Sequence, residues 1–222
     1  MKSVLIRLEG PLQAWSAQGK LGIRDTEHEP TKSGVLGLVA AALGMSRDDD
    51  AGLAALASLR MGVRVDRAGT LLHDYHTAGG GKFRGQKYYV HDTSDCVPTH
   101  RYYLQDASFV AALQGEDSLV SRIAEALRSP RYAPFLGRRS CPPSVPLLIG
   151  VVEGNGREAL EGAPLALEPD SGPYRLVVES PGGEGDVRYD VPLSFAQSER
   201  RYGTRYVTTE WVAGPAPKEV RV

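Results

Sequence analysis

Cysteine is almost absent from this chain: two residues in 222, Cys96 and Cys141, lie far apart. That number supports neither a disulfide framework nor the paired spacing of a zinc site. No stretch approaches the roughly 20 apolar residues that a helical membrane span needs; the most apolar run, GVLGLVAAALG (34–44), is about half that length. The segment MKSVLIRLEG (1–10) carries charges inside its apolar part and has no signal-peptide cleavage pattern, so free thiols in the cytoplasm are the expectation, with no membrane partner. Net charge is nearly absent too, at -1, which argues against a protein that coats nucleic acid indiscriminately.

Charge is nevertheless unevenly distributed. Residues 153–190 hold 9 acidic and 3 basic side chains, whereas 126–152 hold four arginines and no acid. The segment 10–24 also lacks acids and contains Lys20 and Arg24. A local anion-binding surface on a neutral body is therefore expected. Its clearest candidate is PFLGRRSCPPS (134–144), where Arg138, Arg139 and Ser140 sit between a glycine and two prolines. Guanidinium groups match phosphate oxygens bidentately, and prolines lower the entropic cost of holding a loop. The ordinary alternative is a solvated surface pair.

Hydrophobic period places the elements. SVLIRLEG (3–10) and MGVRVDR (61–67) alternate as half-buried strands, and GTLLHDYHT (69–77) follows a glycine turn as a possible hairpin partner of the second. A helix capped by Thr31 or Ser33 runs to about Met45, and a shorter one starts at Asp48–Asp50. Residues 78–100 form a long, polar, Gly-rich segment of the kind that is functional when it occurs inside a domain. RYYLQDASFVAAL (101–113) reads as a strand, EDSLVSRIAEALRS (116–129) as an amphipathic helix stopped by Pro130, and VPLLIGVVEG (145–154) as a buried strand. Beyond these, 173–180 and 186–193 read as two strands joined by a Gly-Gly turn, followed by a strand over 201–212. The expected class is α+β, with a ferredoxin-like β-α-β-β-α-β order over 1–154 and a β-rich extension over 155–222 packed on it.

Other residues invite chemistry. Thr31, Lys32 and Ser33 open a helix whose N–H groups and dipole suit an anion, or they form a plain N-cap. Gln13, Trp15 and Arg24 lie on the connection after the first strand; Trp15 either stacks on a base or, more commonly, closes the core. His73, Tyr75 and His76 are the cluster closest to a catalytic one. On a strand, 73 and 75 share a face and 76 points away, so the two histidines do not converge as an acid–base pair. Arg101 begins the strand after the long insertion, and Arg200, Arg201 and Arg205 with Tyr202 and Tyr206 form a second basic–aromatic group. No metal or other cofactor is expected.

LEGPLQAW (8–15), EPTKSGVLGLVAAALG (29–44), LLHDYHT (71–77) with YLQDASF (103–109), and PRYAPFLGRRSCPPS (130–144) stand in an order and spacing that resemble the CasD family of type I-E CRISPR Cascade subunits. That family is the Cas-five branch of the RAMP superfamily. The resemblance implies an RRM-like RAMP fold with a β-thumb inserted at about 78–100, carrying Lys82, Arg84, Lys87, Tyr88 and Tyr89. It implies a non-catalytic subunit that caps the 5′ handle of the CRISPR RNA. The expected neighbours are a CasC-type backbone subunit and a CasA-type large subunit, with target DNA met through the complex. Arg138, Arg139, Ser140, Thr31, Lys32, Ser33, Gln13, Trp15, Arg24, Tyr75, His76 and Arg101 are the expected RNA contacts. The competing expectation is a metal-independent endoribonuclease that cuts CRISPR repeat RNA.

Overall fold

The computed structural model describes residues 1–16, 22–78 and 97–215. In chain order the elements are β1 (Lys2–Glu9), β2 (Leu12–Gln13), β3 (Ile23–Arg24), α1 (Lys32–Leu43), α2 (Asp50–Ala57), β4 (Arg60–Arg67) and β5 (Thr70–Ala78). Then come β6 (Val97–Gln105), β7 (Ser108–Gly115), α3 (Asp117–Arg128), β8 (Leu148–Glu153), α4 (Gly156–Gly162), β9 (Tyr174–Glu179), β10 (Asp186–Ser194) and β11 (Arg201–Val212). The expected α+β class holds. Part of the large sheet runs β8-β1-β7-β4, the order of a ferredoxin-like unit, with every neighbouring pair antiparallel.

Alternation in β1, β4 and β7 sends Ile6, Val63 and Phe109 to the face covered by α1, α2 and α3. The opposite face is covered as well. Leu5, Val110 and Leu176 pack there against Leu160 of α4, a helix that the sequence pattern does not reveal. This second layer buries polar strand residues that alternation would send to solvent. Asp66 accepts from Arg7 Nη1 at 2.5 Å and from Arg64 Nε at 2.6 Å, and its other oxygen contacts include the Ala166 N–H at 2.9 Å. The two guanidiniums also donate to the carbonyls of Leu160, Ala163 and Pro164. An ion triad thus clasps residues 160–166 onto the sheet.

Four features depart from the sequence reading. β5 does not pair with β4 but with β6, in a second sheet of order β2-β6-β3 with β5 alongside. The single strand read over 101–113 is two strands, broken where Asp106 takes φ 56. Gly69 turns the chain beside that break at φ 71, and a Cβ there would overlap the Gln105 carbonyl. β4→β5 and β6→β7 therefore leave the large sheet together at one corner. The Gly-Gly turn does not make a β9–β10 hairpin, because β11 lies between those strands. Finally, β8 is a half-exposed edge strand rather than a buried one. Among the described residues no helix is long and apolar enough to cross a membrane.

Candidate nucleic-acid interface

The loop 134–144 owes its stiffness to close backbone packing more than to its prolines. Gly137 sits at φ 84, where a Cβ would overlap the Ala14 carbonyl oxygen. Ala14 N donates to the Leu136 carbonyl at 3.1 Å, and Leu136 N to the Cys141 carbonyl at 2.7 Å. At Gly10, a Cβ would stand 2.7 Å from the Pro142 carbonyl oxygen. The Cys141 thiol lies underneath, its pKa pushed up by burial.

Within this frame the two arginines have different roles. Arg138 turns inward and braces the second sheet. Its Nη1 donates to the Tyr102 carbonyl at 3.1 Å, its Nη2 to the carbonyls of Arg24 and Asp25 at 2.7 and 3.1 Å, and its guanidinium lies 4.7 Å from the Tyr103 ring centre. Arg139 and Ser140 are exposed. The brace fixes which sheet face the loop meets: the face of Tyr103, which by strand alternation also carries Arg101. Arg24 of β3 is the in-register neighbour of Arg101 in β6 and is itself exposed. Arg24 and Arg101 thus share one face, and Arg138 anchors the loop beside it, with the exposed Arg139 next in the chain. Asp74 stands opposite Arg101 in β5, and the buried Arg101 Nε has no hydrogen-bond partner among the described residues. His76, exposed two positions along β5, shares this face, whereas Tyr75 lies on the other.

Several expected contacts are interior. Trp15 is fully buried, donating from Nε1 to Gln13 Oε1 at 3.0 Å, and its ring occupies the space left by Gly34 of α1. The buried Gln13 amide donates to the carbonyls of Leu8 and Ala107. Neither side chain presents a face to a base. The helix-start site is also filled from within. Thr31 caps α1 through Gly34 N, and the Lys32 N–H donates at 2.7 Å to Asp190, a carboxylate held by Arg205. The buried Lys32 ammonium pairs with Glu179 at 3.0 Å; burial lowers its pKa and Glu179 opposes that shift. With Ser33 also buried, Thr31, Lys32 and Ser33 form a structural joint between α1 and the C-terminal strands rather than an open anion site. Arg205 belongs to the same joint, and Arg201 reaches Asp50 at 3.7 Å. Lys82, Arg84, Lys87, Tyr88 and Tyr89 lie outside the described residues.

One cluster escaped the sequence reading. His73 meets His100, not His76: Nε2 of the first is 2.9 Å from Nδ1 of the second. His73 also stacks on Tyr102, and Tyr75 stands edge-on to His100. The strand pairing that joins these rings spans the long 79–96 connection, so no local spacing announces it.

Comparison with known proteins agrees with this architecture. Residues 3–208 match the family model described as CRISPR-associated protein (Cas_Cas5). The chain is similar to the CRISPR system Cascade subunit CasD of Escherichia coli (strain K12), 42% identical over 170 residues, which cover 70% of this chain and 74% of that protein. It superposes on a solved structure described as "Crystal structure of Cas protein" with a TM-score of 0.76 and 38% identity, covering 97% of this chain and 98% of the other. A chain of a "CRISPR RNA-guided surveillance complex" gives 0.77 and 36%, covering 95% and 90%.

Proposed function

The chain belongs to the CRISPR-associated Cas5 family, and from that membership we propose that it is an RNA-binding subunit of a type I-E CRISPR Cascade complex that holds the 5′ handle of the CRISPR RNA without cutting it. The observation that carries this reading is the pairing of Arg24 with Arg101 on one face, beside which Arg138 anchors the loop that bears the exposed Arg139. Positively charged forks on a fixed scaffold suit a phosphate backbone, because their spacing is set before the RNA arrives. Arg139 and Arg24 are the phosphate contacts, and Ser140 adds a hydroxyl donor beside them. A CasC-type backbone subunit and a CasA-type large subunit are the proposed neighbours, with target DNA reached through the complex. Photocrosslinking the chain to single-stranded repeat RNA tests the assignment. Crosslinked peptides are expected from 22–25, 97–105 and 134–144; crosslinks confined to other segments would move the site.

The paired imidazoles of His73 and His100 are the observation that favours the competing endoribonuclease reading, since two imidazoles in reach of one another can serve as general acid and base. Here the facing nitrogens are engaged with each other. Incubation with repeat RNA in EDTA is expected to leave the RNA intact. Site-specific cleavage that disappears in His73→Ala would reverse the assignment.

A further inference from the structure

We propose that the hairpin face carrying His73, Tyr75, His100 and Tyr102 is a second RNA-contact surface, a stacking platform for unpaired bases, separate from the arginine face on the other side of the same ribbon. The inference rests on the RNA-binding reading and extends it to groups that the arginine site does not use. The register makes His73 and Tyr102 direct cross-strand partners, and Tyr75 and His100 the next pair on the same face. The His73 ring lies 4.7 Å from Tyr102 at an interplanar angle of 17°, and 5.1 Å from His100 at 8°. Tyr102 therefore lies against His73 at the separation of offset stacking, while His100 extends the His73 plane edge to edge through their hydrogen bond.

Rings arranged in this way inside a protein core would be covered. Here His73 is exposed and Tyr75 is 60% exposed, while His100 and Tyr102 are half-buried beside them. The chemistry of the face suits a polyanion. Neither β5 nor β6 places an Asp or Glu on it, since Asp74 projects to the arginine face. Aromatic rings on a strand surface bind single-stranded RNA because every base has a face to stack, so the platform reads base planes rather than sequence. The His73–His100 hydrogen bond holds these two rings nearly coplanar, which lowers the ordering cost when a base arrives.

The test compares the full chain and its variants on two probes: single-stranded repeat RNA, and the same RNA with abasic sites at successive positions. His73→Ala with Tyr75→Ala is expected to weaken binding of the intact RNA about tenfold per lost stack, while leaving affinity for abasic RNA unchanged. His73→Phe with Tyr75→Phe keeps the rings and is expected to retain the preference for intact RNA. Arg24→Ala with Arg139→Ala should weaken both probes alike. If the arginine pair matters and the ring variants bind both probes as the wild type does, the platform is wrong and the RNA reading stands. If the wild type binds neither probe, both fall. Ring variants that keep RNA affinity but lose a Cascade protein from the assembled complex would assign the face to a protein partner and overturn the proposal.

Discussion

Asp66→Ala is expected to destabilise the chain by about 3–5 kcal/mol, the cost of leaving buried cations without their counter-ion. Asp66 and Arg64 are completely buried and Arg7 nearly so. Removing the carboxylate deprives two guanidiniums of their shared acceptor and frees the Ala166 N–H. The carbonyls of Leu160, Ala163 and Pro164 still accept from the arginines, but they carry no net charge to balance them. For a chain of this size the loss corresponds to a fall in melting temperature of about 10 °C. Asp66→Asn, which keeps shape but not charge, should cost nearly as much. Thermal unfolding monitored by circular dichroism reads both variants, and an unchanged midpoint in either would show that the triad is not what fastens residues 160–166 to the sheet.

Gly137→Val should have the second large effect, on stability and RNA affinity together. An L-residue at φ 84 costs about 1–2 kcal/mol before any contact is considered. The new Cβ cannot coexist with the Ala14 carbonyl, so the loop must lift from the 10–16 segment. That movement breaks the Ala14–Leu136 hydrogen bond and loosens Arg138 from the carbonyls of Arg24, Asp25 and Tyr102. Adding about 0.5–1.5 kcal/mol for the one backbone hydrogen bond broken brings the total to about 1.5–3.5 kcal/mol. Because the proposed contact Arg139 is carried by the same loop, RNA binding should weaken although no proposed RNA contact is itself altered. A variant that melts early yet binds RNA normally would separate the loop frame from the site.

The sequence made the strand–helix order of the ferredoxin-like unit legible because β1, β4 and α3 each repeat a single period. It failed where long-range packing overrides the period. Arg64 and Asp66 alternate with Val63 and Val65 like a solvent-facing edge, yet α4 covers that face and turns the polar residues into a buried triad. The run 101–113 is apolar enough to read as one strand, and only the positive φ of Asp106 shows that it serves two sheets. At the site, PFLGRRSCPPS announced a stiff basic loop but not the division of labour within it. That division depends on the carbonyls of Arg24, Asp25 and Tyr102, which are distant in sequence from Arg138. Lys32 offered a cation at a helix start, but its partners Glu179 and Asp190 come from strands some 150 residues later. Opposed charges so far apart carry no local signal.

The salt dependence of RNA binding tests the central claim most directly. Affinity of the full chain for single-stranded repeat RNA should fall linearly with the logarithm of salt concentration, with a slope of roughly −0.7 per phosphate neutralised. Arg24→Ala with Arg139→Ala removes two proposed phosphate contacts, so the slope should become shallower by about 1.4 as affinity falls. An unchanged slope and an unchanged affinity in a folded double variant would contradict the placement of the RNA on this face.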